Sequence, residues 1–322
     1  MTNNGTNRLL KSLDYFFVLR PMLFFPGWST LLAGYLITLK SRYFLSLNKS
    51  WQLNYGEIGL LLFIFAAAMG ASFLLNQLAD VQSDLKNKKL FLISEGHIPK
   101  QNAIIEVLFL SLLALILSIL QGIAIFISIL IFIVLTGYLY NFQPFKFKDK
   151  PWWSLWANAG MGFLAFAVGW LAAMPEFSWQ LVTDALPYLF LNTALYFFTT
   201  LPDVEGDRIA GKQTLAVKFG IKQIIWASFI LFVLSLFSAV WLNDHLALLI
   251  IVPAVPFFLF TIIKPQVSST ILATKFTILF FAVAICLKIP YYFLLMLAGY
   301  FATRWYFKAR FNYNYPNFKG QK

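Results

Sequence analysis

The sequence holds a single cysteine, Cys286, and only two histidines, His97 and His245. Cys286 lies inside an apolar run, which excludes an internal disulfide framework and any cysteine-ligated metal. Two histidines cannot build a histidine-rich metal centre either. Charge is scarce: Asp, Glu, Lys and Arg make up 12% of the 322 residues, about half the roughly 25% usual in soluble domains. No polar stretch is long enough to fold as a soluble domain of its own. The first 15 residues lack the apolar core of a signal peptide, so residues 1–15 read as a short cytoplasmic tail.

In place of charge the chain has 60% hydrophobic residues, including 36 Phe, 14 Tyr and 10 Trp, with a mean hydropathy of +0.74. Apolar runs of about 20 residues recur along its length, enough to cross the hydrocarbon of a bilayer as helix. The expected fold is all-α: a polytopic transmembrane bundle of nine or ten helices around a central cavity with a polar cytoplasmic mouth. Spans are expected over 16–39, 57–75, 103–120, 123–140, 155–174, 185–201, 224–241 and 246–263. Lys288 and Pro290 interrupt a further apolar region over 269–307, which reads as one kinked helix or as a hairpin of two. Residues 16–307 then form one membrane domain, and 308–322 a basic C-terminal tail.

The net charge of +12 could suggest nucleic acid, but the basic residues sit between spans and form no block. Membrane orientation accounts for them, and no nucleic-acid partner is expected. Lys86, Lys88, Lys89 and Lys100 follow the second span, Lys146, Lys148 and Lys150 the fourth, and Arg208, Lys212, Lys218 and Lys222 the sixth. The segments after the third, fifth and seventh spans have no Lys or Arg. The even-numbered exits therefore face the cytoplasm. Lys40, Arg42 and Lys49 after the first span run against this pattern, while the basic C-terminus favours ten spans.

Two acidic stretches stand out. Asn76, Asp80 and Asp84 recur at i, i+4 and i+8, along one helix face at the end of an apolar run. Asp203 and Asp207 repeat the i, i+4 spacing at the end of another run, with Glu205 off that face. Together the two stretches hold five of the 13 acidic residues, and both emerge on the same side of the membrane. Converging carboxylate pairs bind hard divalent cations through oxygen, and Mg²⁺ bridges such carboxylates to phosphate oxygens. Interleaved lysines would stabilise a departing diphosphate, and aromatic faces an allylic cation.

These motifs bring a family into view. Asn76-x-x-x-Asp80-x-x-x-Asp84, with Pro202-Asp203-Val204-Glu205-Gly206-Asp207-Arg208, resembles the paired signatures of the UbiA-type intramembrane prenyltransferases. Asn87-Lys88-Lys89, Ser94-Glu95-Gly96-His97-Ile98, the loop Tyr140-Asn141-Phe142-Gln143-Pro144-Phe145-Lys146-Phe147-Lys148 and Gly211 to Gly220 resemble the segments that accompany them. The resemblance implies a helical bundle around a cavity open to lipid and a Mg²⁺-dependent transfer of a polyprenyl group from its diphosphate to an aromatic or lipid acceptor. It places one Mg²⁺ on Asn76, Asp80 and Asp84 and another on Asp203 and Asp207. Lys146 falls in the place of a diphosphate-binding arginine, and Tyr140, Lys88, Arg208 and Lys212 join the donor-binding set. Gln77 resembles the branch that prenylates homogentisate or similar aromatics, whereas Thr200 departs from it. A membrane terpene cyclase sharing the ionisation step and an ion-coupled transporter are the competing readings. The expected location is the cell membrane, with the mouth of the cavity on the cytoplasmic side.

Overall fold

The computed structural model describes residues 3–38, 53–87, 91–209 and 211–316. Among them every regular element is helical. They run as α1 (Asn3–Phe17), α2 (Phe24–Thr38), α3 (Tyr55–Asn87), α4 (Phe91–Ser94), α5 (Lys100–Gln121), α6 (Ile123–Ile133), α7 (Pro151–Ala173), α8 (Trp179–Thr199), α9 (Val204–Ile209), α10 (Leu215–Phe219), α11 (Ile221–Trp241), α12 (His245–Ile263), α13 (Val267–Lys288) and α14 (Pro290–Phe311). Among the described residues eight helices are long and apolar enough to cross a membrane, and Ile123–Leu139 is a shorter apolar helix. The chain is an integral membrane protein. The basic loop with Lys40, Arg42 and Lys49, and also Lys88 and Lys89, lie outside the described residues.

Two features of helix length position the site. At 33 residues, α3 is about 50 Å long, well beyond a hydrocarbon core of about 30 Å. Its last turns, which carry Asn76, Asp80 and Asp84, therefore stand at the edge of the apolar layer. In contrast, α6 gives way after Ile133 to a π-helical segment, Val134–Leu139. This widening lets the chain turn toward Tyr140 and the lysine loop before α7 begins.

Helix α2 packs most extensively on α7, and glycine makes the approach possible. A Cβ on Gly169 would lie 1.8 Å from the Leu31 carbonyl oxygen, and one on Gly34 2.1 Å from that of Phe166. Lipid supplies no hydrophobic drive between helices, so close backbone contact of this kind is what holds them together.

Both flanking segments are helical. Residues 3–17 form α1, and the helix buries Leu10, Phe17 and Asp14 against α14. The apolar region 269–307 is two helices broken at Ile289, with Pro290 starting the second. Helix α14 runs back along the bundle, from Tyr291 against Tyr55 to Phe311 against Phe91. It brings Phe311 to the end where the acidic motifs lie. The segment expected as a tail from residue 308 is thus helical through Phe311. Asp14 accepts hydrogen bonds from the Tyr306 hydroxyl at 2.7 Å and from Arg310 Nε and Nη2, each at 3.1 Å.

Candidate active site

The first acidic motif is wired into the loop after the π-helical segment. Asn76 Nδ2 donates to Asn141 Oδ1 at 2.7 Å. Asn141 Nδ2 in turn donates to the carbonyls of Thr136 at 2.9 Å and Gly137 at 3.0 Å, within the π-helical turn. Lys148 Nζ reaches Asp80 Oδ1 at 2.7 Å and Asn141 Oδ1 at 3.4 Å. Its neighbour Lys146, expected to face an anionic ligand, adopts a left-handed conformation, φ 38°, and pairs with Asp149 at 2.6 Å. The loop therefore turns Lys148, not Lys146, onto the motif.

Gln77 points the other way. It is 2% exposed, and its Nε2 donates to the Val18 carbonyl at 2.8 Å and to the Phe73 carbonyl at 3.2 Å. That bond fixes the break between α1 and α2, where Arg20 takes a left-handed φ of 59°. Arg20 lines the cavity mouth, sits 5.9 Å from the Phe73 ring centroid and feels the charge of buried Asp84. Sequence reasoning missed Arg20. The available signal was an arginine inside an apolar run, just before Pro21.

The second motif is held by a short helix. In α9 the Asp207 N–H donates to the Asp203 carbonyl at 2.8 Å, so both side chains leave one face. Gly211, at φ +71°, lets the chain double back. Lys212 N–H then donates to the Asp207 carbonyl at 2.9 Å, and Lys212 Nζ lies 3.5 Å from Asp207 Oδ1. Burial pushes the Asp207 carboxyl above the usual range; Lys212 opposes the shift and the neighbouring Asp203 charge adds to it. Arg208 extends into solvent, 4.0 Å from Glu205.

A cluster of polar side chains lies between the two motifs. Tyr140 sits beside Asn158 and Ser154 and within electrostatic reach of Asp80. Ser154 also meets the Tyr196 hydroxyl, and Tyr196 is within reach of Asp207. The acidic motifs thus share one end of the bundle. Below them opens a cavity of about 440 Å³. Arg20, Asn76, Tyr140 and Asn141 form its mouth, Phe65, Met69, Phe73, Phe132 and Met161 its apolar wall, and Thr30, Asn158 and Asn192 a polar wall.

Among the described residues no three His, Cys, Asp or Glu side chains stand close enough to share a metal ion. The donor set nevertheless fits hard cations. It comprises two carboxylate pairs and the Asn76 amide, and burial and Asp203 make a charge on Asp207 costly, a cost that a bound cation would relieve.

Known proteins place this architecture. Residues 28–269 match the profile of the UbiA prenyltransferase family. A 2-acylphloroglucinol 4-prenyltransferase of Humulus lupulus is 27% identical over 170 residues, 49% of this chain and 41% of that protein. A 2-acyl-4-prenylphloroglucinol 6-prenyltransferase of the same plant is 27% identical over 204 residues, 59% of this chain and 48% of that one. The chain thus spans about half the length of these curated relatives or less. A UbiA homolog from Archaeoglobus fulgidus, solved bound to DMAPP and Mg²⁺, has the same fold, with a TM-score of 0.68 at 20% identity over 86% of this chain and 98% of its own. A profile match over most of the chain, on a bundle of that fold, makes this protein a member of the UbiA prenyltransferase family.

Proposed function

We propose that this chain transfers a prenyl group from its diphosphate to a hydrophobic acceptor inside the membrane, with Mg²⁺ as cofactor and the mouth on the cytoplasmic side. The observation that carries this reading is the pairing of each acidic motif with a lysine, Asp80 with Lys148 and Asp207 with Lys212, above a largely apolar cavity. In the balanced reaction the C1–O bond of the donor breaks and diphosphate leaves with the electron pair. The acceptor's nucleophilic atom then bonds to C1 and gives up its proton.

Asn76, Asp80 and Asp84 would hold one ion, and Asp203 and Asp207 another. When bound, such ions neutralise charge building on the diphosphate. The chain's own cations do the rest of the anchoring: Lys148, Lys212 and Arg20 converge from three elements on the anionic group. Tyr140, beside Asn158 and Ser154, stands between the two halves of the mouth. The apolar wall takes the prenyl chain and excludes water from the cation formed at C1, and ring faces such as Phe73 add cation–π attraction.

Purified protein given geranyl diphosphate, Mg²⁺ and a lipid or aromatic acceptor is expected to release diphosphate and form a prenylated product, and to stop when EDTA is added. Release with an intramolecular hydrocarbon as product would make the chain a cyclase, and no release with any acceptor would defeat both enzyme readings. Within this reaction Lys148→Met is expected to lower kcat/KM about tenfold or more, since it removes a charge-assisted contact at the mouth. Lys146→Met, which disturbs only the pair with Asp149, is expected to change it less than about threefold. Steady-state rates of the two variants side by side check the order.

A further inference from the structure

A buried charged cluster sits outside the cavity and takes no part in the proposed reaction. Asp14 of α1 is 2% exposed, and Tyr306 and Arg310 of α14 close on it with three hydrogen bonds, Arg310 reaching both carboxylate oxygens. The Tyr306 ring, itself fully buried, stacks on Phe17 with centroids 3.9 Å apart. Burying two charges costs solvation that their attraction does not dependably return, so stability alone does not account for such a pair. The backbone beside it is unusual. Val18 N–H donates to the Asp14 carbonyl at 2.9 Å and Arg20 N–H to the Phe17 carbonyl at 3.1 Å, so the last turn of α1 runs directly into Arg20 at its left-handed φ of 59°. A residue with a Cβ stays in that region only where its surroundings impose it, and such residues gather at functional sites.

Arg20 is gripped from two sides. On one, Gln77 of α3 holds the Val18 carbonyl. On the other, α14 packs on the Pro21–Leu23 turn. Past the end of α14, Asn312 at φ 53° turns the chain, and the Tyr313 N–H donates back to the Phe307 carbonyl at 3.1 Å. The Tyr315 ring then comes to 5.0 Å from that of Phe307, within electrostatic reach of Arg20. Asp14, Tyr306 and Arg310 do not line the cavity; the lining residue closest to Asp14 in the chain is Arg20. Building on the proposed prenyl transfer, we infer that Asp14, clasped by Tyr306 and Arg310, is a positioning residue: it latches α1 to α14 and so holds the turn that presents the Arg20 guanidinium to the donor's diphosphate. Without the latch α1 pivots and Arg20 relaxes out of its left-handed turn. The diphosphate then loses a cation, and α2 carries no charged residue to take its place.

The test measures Kd for geranyl S-thiolodiphosphate, a donor analogue that resists ionisation, by calorimetry with Mg²⁺ on the full chain in detergent. Arg20→Met is expected to weaken binding about tenfold or more, and Asp14→Asn about fivefold or more. Added to Arg20→Met, Asp14→Asn is expected to weaken it less than about twofold further, because the two residues act as one. A general loosening of the bundle would instead weaken binding by the same factor in both backgrounds, and that result overturns the inference. Unchanged binding by Asp14→Asn overturns it too. Unchanged binding by Arg20→Met takes Arg20 out of the donor site and the inference with it, leaving the acidic motifs standing. Tyr306→Phe keeps the ring on Phe17 and removes one hydrogen bond to Asp14, so it serves where Asp14→Asn does not fold. It is expected to weaken binding about threefold and to have no further effect on Arg20→Met; unchanged binding, or equal weakening in both backgrounds, again overturns the inference. If the unsubstituted protein does not bind the analogue at all, the prenyl-transfer reading falls as well.

Discussion

Asp80→Asn is expected to lower kcat/KM for prenyl transfer by at least about 10²–10³-fold while the protein still inserts and folds. The substitution keeps the side chain's size and removes only the charge that faces Lys148 at 2.7 Å. Lys148 is then left, only 9% exposed, with Asn141 as its remaining acceptor. In the proposed site Asp80 both holds a cation and sets where Lys148 points, so two contacts to the diphosphate are lost together. Asp203→Asn is expected to fall in the same range. Turnover by Asp80→Asn at the unsubstituted rate, in protein that elutes as a single species from size exclusion, would remove the two-motif site.

The second large effect is structural. Gly169→Val is expected to prevent assembly of the bundle, or to cost more than about 4 kcal/mol where it folds at all. A Cβ at this position would stand 1.8 Å from the Leu31 carbonyl oxygen. A side-chain contact could rotate away, but a backbone carbonyl in the facing helix cannot move without parting α2 from α7. Gly34 makes the reciprocal contact against Phe166, so Gly34→Val should behave alike. Thermal unfolding in detergent, followed by aggregation or by tryptophan fluorescence, reads the loss; a midpoint within a few degrees of the unsubstituted protein would contradict it.

Most of the membrane architecture is legible in the chain, because about 20 apolar residues in water-free surroundings have few options besides helix. The acidic motifs are equally visible, since i, i+4 carboxylates at span ends stand out where charge is rare. What escapes is whatever depends on partners far along the chain. Asp14 looks like a solvated charge until Tyr306 and Arg310 are seen around it. Arg20 draws no notice in the sequence, and it is the kink held by Gln77 that puts it on the cavity. Lys146 and Lys148 differ by one left-handed residue, and spacing alone does not tell which of them meets Asp80. Asn192 is a lone amide in an apolar run; only the Thr30 hydroxyl opposite it shows which way its carbonyl points.

The joining of α1 to α14 also dictates an order of assembly. Asp14 and Tyr306 are 292 residues apart, so at a synthesis rate of roughly 5–20 residues per second the first waits on the order of tens of seconds for the second. Through that interval the opening helix has no counterpart for its acid, and the kink that aims Arg20 is anchored on one flank only. Because α14 also packs on the Pro21–Leu23 turn beside Arg20, that side of the proposed mouth settles only after α14 has been made.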